Sequence, residues 1–361
     1  MYQLSLTKDY APHWDLVKAV KELLQNAIDS TAEFQYAFEQ NDSDEGLTNL
    51  TVTSVGVILP PSSLLLGAST KQDDPSSIGK YGEGYKLALL VLTRLGFPVT
   101  VYNGERVWTP CFEPSKKYGC DVLSIREQTR KGAPGNLTFS INGLSDLNVK
   151  QIRNACLQMQ TNQEIGLRSE VPQGRILLDE VHIGHLYVNG LFVQKAEDLK
   201  FGYDIKPEYL RLDRDRQAVA DFDLLWVTKE MWFAQPDTEW TSELILQGVY
   251  DLKYAQYNAP VKVVEATAKA FKENNPGVTI AKTPEDVDRL KAVGVSEPRY
   301  FGSTVHAVVT QSASYIAQPP TVKFDTPHDI LSKWYETHSK RMPRLPKVAM
   351  KALLELSKNW K

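Results

Sequence analysis

The sequence predicts an α+β fold: a sheet with helices packed on one face. Two observations carry this reading. Four short β-rich runs follow one another, Val99 to Tyr102, Arg106 to Phe112, Val122 to Glu127 and Leu137 to Ile141, and Asn103-Gly104 forms a hairpin turn between the first two. Helical patterns stand outside that series, one beginning near Asp15 and one covering Leu87 to Leu95.

Composition sets the outer bounds. The chain has 361 residues, enough for two or three domains, with 42% hydrophobic and 24% charged residues. A net charge of -3 gives the whole chain no bias towards nucleic acid or membrane. Cys111, Cys120 and Cys156 are too few, and odd in number, for a disulfide framework, so a reducing cytoplasm is expected. No run approaches the ~18 apolar residues needed to span a bilayer, so no membrane partner is expected.

In chain order, residues 1–10 read as an extended lead-in. A helix capped by Asp15 is expected to run towards Gln40. Leu50 to Leu59 reads as a buried strand closed by Pro60-Pro61, and Ser62 to Leu66 as one helical turn. After the four strands, Asp146 to Met159 reads as a helix. Arg175 to Leu178 and Leu186 to Gln194 read as strands, the latter turning at Asn189-Gly190. A helix follows from about Val219 to Trp232, and Gln235-Pro236-Asp237 marks a boundary. Beyond it Glu239 to Tyr257 and Val261 to Asn274 look helical, Val278 to Ala281 extended, and Thr283 caps a helix reaching Val293. Residues 322–361 hold nine Lys/Arg against four Asp/Glu, a basic end that reads first as a solvated helix face.

Two stretches carry chemistry. Glu22, Asn26 and Asp29 stand at i, i+4 and i+7, within an arc of roughly 60° on a helix. Apolar Val20, Leu24, Ala27 and Ile28 interleave with them, so the polar stripe is expected to face a pocket. An amide oxygen is a hard ligand for Mg2+, and a neighbouring carboxylate can take a proton from water. The second stretch, Gly67 to Lys86, is punctuated by Gly79, Gly82 and Gly84 just before a helix. That arrangement lets backbone N–H groups approach an anion, with Lys71, Lys80 and Lys86 adding charge. It lacks the Walker-A ending, and no strand leads straight into it, unlike a Rossmann fingerprint. His182-x-x-His185 has metal-like spacing, but on a strand the two would point to opposite faces.

Taken together, the two stretches resemble the signatures of the GHKL, or Bergerat-fold, ATPases, the superfamily of gyrase B, MutL, MORC proteins, heat-shock chaperones and histidine kinases. Glu22-x-x-x-Asn26-x-x-Asp29-Ser30 looks like the first motif, and Gly67 to Lys86 like the ATP lid with its glycine hinge. The resemblance implies a Bergerat-type sandwich, a mixed sheet with helices on one face, over residues 1–145. It extends less fully to a smaller α/β transducer-like domain over 146–235. Residues 236–361 form a mostly helical region that matches no part of that family.

The resemblance also implies ATP and Mg2+ as cofactors and slow hydrolysis that drives a lid or dimer-clamp switch. Glu22 would be the general base, and Asn26 the magnesium ligand. The nucleotide would be held by Asn26, Asp29, Ser54, Gly56, Ser69, Thr70, Lys71, Gly79, Tyr81, Gly82, Glu83, Gly84, Tyr85 and Lys86. Lys195 is the first choice for the basic residue that reaches the terminal phosphate, with Arg214 and Arg216 as alternatives. A homodimer formed on ATP binding and a DNA or protein client are the implied partners. A histidine kinase is not expected, since only His13 precedes the motif.

One departure stands out. Where the family carries Asp-x-Gly-x-Gly, this chain has Ser54-Val55-Gly56-Val57-Ile58. Ser54 replaces the carboxylate that reads adenine and Ile58 replaces the second glycine. A serine gives a weaker, neutral hydrogen bond, and Ile58 is expected to crowd the base. Asn136 or Thr138 would supply the remaining polar contact there. The alternative is a non-catalytic scaffold with a degenerate base pocket.

Overall fold

Alternation of buried residues builds the first sheet. In Thr48–Ser54 the side chains of Leu50, Val52 and Ser54 are buried while Thr51 and Thr53 are not, and Leu137–Leu144 repeats the pattern with Leu137, Phe139 and Ile141. The computed structural model describes residues 1–30, 34–40, 46–65, 84–210, 220–317 and 326–358. The sheet contains β1 (Tyr2–Thr7), β2 (Phe34–Gln40), β3 (Thr48–Ser54), β4 (Val99–Asn103), β5 (Arg106–Ser115), β6 (Cys120–Thr129) and β7 (Leu137–Leu144). Its order is β1-β6-β5-β4-β7-β3-β2. Helices α1 (Leu16–Ile28) and α2 (Gly84–Arg94) pack against its buried face and against each other.

The α+β class holds, with two corrections. Every neighbouring pair in this sheet is antiparallel, so the sheet is not mixed. The tight β4–β5 and β5–β6 turns leave no room for the crossover that a parallel pair needs. The helix expected to reach Gln40 ends at Ile28, and Phe34–Gln40 is a strand instead. There Phe34, Tyr36 and Phe38 recur at a period of two, with ring centroids 5.9 and 6.2 Å apart. A ladder of this kind suits an edge strand paired with β3 along its length.

Asp15 caps α1 as expected, accepting a hydrogen bond from the Lys18 N–H at 2.8 Å. At the other end of α2, Arg94 fastens the turn that leads into α1. Its guanidinium donates to the carbonyls of Lys8 (3.2 Å), Tyr10 (2.9 Å), Ala11 (3.1 Å) and Trp14 (3.1 Å).

The chain continues through α3 (Asp146–Asn154) and α4 (Asn162–Ile165), both opened by capping boxes, from Ser145 with Asn148 and from Thr161 with Glu164. A second sheet follows: β8 (Arg168–Val171), β9 (Gly174–Leu177), β10 (His185–Val188), β11 (Leu191–Lys195) and β12 (Gly202–Ile205), ordered β11-β10-β12-β9-β8. Parallel pairing appears here, between β10 and β12. The β10–β11 turn has Asn189 and Gly190 at φ 51° and 79°, the conformation an Asn-Gly hairpin requires. Asp204 on β12 accepts the Gly190 N–H at 2.6 Å and pairs with Arg175. Helix α5 (Asp221–Ala234) completes this part.

Contacts divide the chain into two compact units, Met1–Gln235 and Pro236–Lys361. The second unit contains α6 (Thr238–Leu246), α7 (Val261–Asn274), β13 (Thr279–Ala281), α8 (Pro284–Ala292), β14 (Pro298–Tyr300), α9 (Ser303–Thr310), α10 (Pro327–His338) and α11 (Arg344–Ser357). The strands β13 and β14 pair in parallel across α8, and Ala268, Phe271, Ile280, Val305 and Val309 form a core beside them. Among the described residues no helix is long and apolar enough to cross a membrane.

Arg94→Ala should cost about 2 kcal/mol in urea unfolding, because four backbone carbonyls lose a charged donor. Arg94→Lys should recover little of it, since one ammonium cannot span the four.

Candidate functional site

The α1 stripe lies where the helix leaves its core-facing side. Leu16, Ala19, Val20, Leu23, Leu24 and Ala27 are buried, while Glu22, Asn26 and Asp29 are half-buried. A solvated amphipathic helix would expose them fully. Asn26 donates from Nδ2 to the Glu22 carbonyl at 2.7 Å, so its Oδ1 takes no part in that bond. Asp29 is the C-cap of α1.

The first residue of α2 meets this stripe. A Cβ at Gly84 would stand 3.2 Å from the Glu22 Cδ and 3.5 Å from the Asn26 Nδ2, and would overlap the Glu22 carboxylate oxygen. Only glycine allows the N-terminus of α2 to start there with the carboxylate in place. The last glycine of the glycine-rich stretch and the first polar motif therefore meet in space.

Residues before and after that stretch are bonded to each other. Tyr85 is buried, and its hydroxyl donates to the Ser63 carbonyl at 2.6 Å on the 3-10 turn Pro61–Leu64. Burial pushes its phenol up to about 12, opposed by the bond to Ser63. Lys86 is fully buried, its ammonium bonded to the Leu65 carbonyl and 5.5 Å from the Tyr85 ring centroid. Both side chains thus tie the first turn of α2 to residues 63 and 65. Ser69, Thr70, Lys71, Gly79, Tyr81, Gly82 and Glu83 lie outside the described residues, as do Arg214 and Arg216.

The stretch from Ser54 to Leu59 is held by side chains of neighbouring strands and turns. Ser54 is buried on the helix-covered face, at the end of β3. Gly56 (φ 75°) donates its N–H to Asn136 Oδ1 at 3.0 Å. Buried Asn103 both accepts the Leu59 N–H and donates to the Leu59 carbonyl, each at 2.8 Å. Asn103 read in the sequence only as a hairpin residue, yet it clamps this loop. Ile58 lies at the surface. It is 55% exposed and lies against the β4–β5 turn, its Cδ1 3.1 Å from where a Gly104 Cβ would be. Thr138 also falls away, since it pairs with Thr53 on the outer face of the sheet, hydroxyl to hydroxyl at 2.8 Å.

Lys195 ends β11, half exposed, with its ammonium 3.0 Å from Glu197 Oε2. No contact between Lys195 and the α1 stripe occurs among the described residues. Instead α1 reaches β11 through Lys21, whose Nζ lies 5.8 Å from the Phe192 ring centroid. Burial lowers the Lys21 pKa, while Glu22 beside it raises it.

The two histidines are not on one strand. His182 ends the 3-10 turn Glu180–His182 and His185 begins β10, with Gly184 at φ 73° between them. That turn cancels the alternation and brings the rings within 6.2 Å, in a cluster with Tyr187 and Phe192. Burial lowers the pKa of His182, helped by His185 and opposed by the Ile165 carbonyl and Asp179. Burial also lowers that of His185, helped by Lys195 and opposed by Glu197. No group of three His, Cys, Asp or Glu that could hold a metal occurs among the described residues.

No model of a known protein family matches the chain. An uncharacterized protein of Mycoplasma pneumoniae (strain ATCC 29342 / M129 / Subtype 1) is 24% identical over 222 residues, spanning 59% of this chain and 89% of that protein. Among solved structures, the ATPase region of Saccharomyces cerevisiae topoisomerase II bound to ICRF-187 (dexrazoxane) is similar at a TM-score of 0.32 and 13% identity. That likeness covers 49% of this chain and 62% of the topoisomerase chain, less than two thirds of its length.

The lowered His182 and His185 values have a definite sign. The unfolded chain takes up protons near the ordinary value of 6.5, before the folded chain does. The stabilisation is therefore full above 6.5 and is lost as pH falls through the lowered folded values. His182→Phe should flatten the fall in urea midpoint between about pH 7 and pH 5. An unchanged slope would remove His182 as its source.

Proposed function

We propose that this protein binds ATP with magnesium at the junction of α1 and α2, and hydrolyses it slowly as a conformational switch. The observation that carries this reading is the contact of Gly84 with Glu22 and Asn26. It sets a carboxylate, an amide side chain and a helix N-terminus beside one another at the end of a glycine-rich stretch.

In this reading Glu22 accepts the proton of the attacking water, and Asn26 supplies an oxygen ligand. Asp29 supports the polar network, and the α2 N-terminus with residues 67–83 faces the phosphates. The donor set fits magnesium, which binds one or two protein oxygens and completes its shell with phosphate and water. Bound there, the ion would neutralise charge developing on the phosphates. Lys71 adds charge from the lid, and Lys195 would have to leave Glu197 to reach the terminal phosphate. The division at 145/146 into nucleotide and transducer modules, a homodimer closed by ATP, a DNA or protein client, and a cytoplasmic setting belong to the same proposal.

A second reading, a scaffold without nucleotide, is favoured by the base side. Ser54 stands where the family has an acid, and Asn103 fixes the loop that follows. Isothermal calorimetry with ATP, a non-hydrolysable analogue and GTP, each with Mg2+, separates the two. Binding of ATP supports the first reading, and silence with all three supports the scaffold.

Glu22→Ala should retain binding while turnover falls by about 100-fold or more; turnover at the wild-type rate would remove Glu22 as the base. Gly84→Ala should reduce turnover similarly by swinging the carboxylate aside. Because that carboxylate is a rotatable side chain, unfolding stability should stay within about 1 kcal/mol of wild type.

A further inference from the structure

The hairpin of α10 and α11 leaves one face uncovered. The helices run antiparallel, since His328 near the start of α10 bonds the Leu354 carbonyl (3.1 Å) and the Ser357 hydroxyl (2.9 Å) near the end of α11. Their facing sides carry His328, Leu331 and Tyr335 on α10, and Met350, Leu354 and Ser357 on α11, all buried or half-buried.

Other apolar residues point outwards. Ile330 (58% exposed) and Trp334 (41%) lie on α10, and Leu345 (83%), Val348 (61%) and Leu356 (63%) lie on α11. Exposed Ala349 and Ala352 fill the α11 stripe, which follows i, i+3, i+4, i+7 and i+11. At about 100° per residue, each stripe is displaced from its helix's inner side by roughly 110–150°. Counted along each chain the displacement has the same hand on the two helices, and in an antiparallel pair equal hands fall on the same side. The hairpin is therefore a two-helix layer with one continuous apolar face. By the same count Lys333 and Glu336, with Arg344, Lys351, Glu355 and Lys358, fall on the other side.

We infer that a second copy of this chain covers the apolar face, so that two hairpins stack into a four-helix bundle. The disposition of charge selects this occupant. An anionic membrane or a nucleic acid would need the basic side chains around the apolar stripe, whereas they lie across the hairpin from it. Two copies stacked on this face keep every one of those charges in water. The area also suffices. The five large side chains expose roughly 500 Å² per copy, so a symmetrical pair buries roughly 1,000 Å², the lower range of a specific interface. This dimer does not rest on the nucleotide reading and needs no ATP.

Sedimentation velocity of the full chain without nucleotide, from about 1 to about 100 µM, tests it. The wild type should be dimeric. Val348→Glu with Leu356→Glu should weaken the dimer by about 100-fold or more, with unchanged circular dichroism because both residues are at the surface. Lys351→Glu, on the charged side, should leave it intact. A wild type that stays monomeric throughout overturns the inference, and so does a dimer unaffected by the double substitution. Co-sedimentation of the wild type, but not of the double variant, with vesicles containing about one third phosphatidylserine would assign the face to lipid instead and equally overturn it.

Discussion

Gly84 starts α2 against the Glu22 carboxylate only because it has no Cβ, and much of the candidate site follows from that approach. The buried row on α1 fixes how the helix lies on the sheet, which leaves Glu22, Asn26 and Asp29 half-buried at its edge. Those side chains gain a pocket only if another element comes close without filling it. A helix N-terminus does so with N–H groups that have no partner inside the helix, and it favours negative charge. In the protein as described, the Glu22 carboxylate sits beside that terminus.

The stem of the 66–83 segment supports this arrangement from below. Tyr85 bonds Ser63 and Lys86 bonds Leu65, so the chain entering the segment and the chain leaving it are held together. Burying a lysine completely is costly unless its ammonium is bonded, and here a backbone carbonyl takes part in that bonding. Lys86 thus contributes position rather than surface charge. The loop after β3 is equally fixed, by Asn103 on Leu59 and by Asn136 on Gly56. Ile58, in the same loop, lies against Gly104 at the neighbouring turn.

The sequence made legible whatever depends on local period and turn chemistry. The Asp15 cap, the four strands from Val99 onward, the Asn189-Gly190 turn and the Thr283 cap all lie where pattern places them. Phe34–Gln40 was missed because an apolar run next to a helix reads as its continuation unless the period of two is weighed. Antiparallel pairing throughout the first sheet was missed because pairing direction is a property of connections and not of strands. At the site, the meeting of the two motifs was legible in their order. Asn103, Arg94 and Lys21 were not, because each acts on backbone or a ring that is distant in sequence. The two histidines were misplaced because Gly184 inserts a turn where a strand was assumed.

Helix α1 also forms a wall for a second environment. Lys21 is next to Glu22 in sequence, about 100° round the helix, and lies over Phe192 in the His182–His185–Tyr187–Phe192 cluster. An ammonium at such a distance from a ring gains about 0.5–1 kcal/mol where exposed and more where desolvated. The lowered Lys21 pKa indicates desolvation. Rotating α1 enough to move the Glu22 carboxylate would therefore also move a partly desolvated cation across the aromatic cluster. Such a rotation must also displace the buried row that holds α1 on the sheet. The carboxylate can move at small cost by its own torsions, but not by moving the helix, so a response at this site begins in side chains.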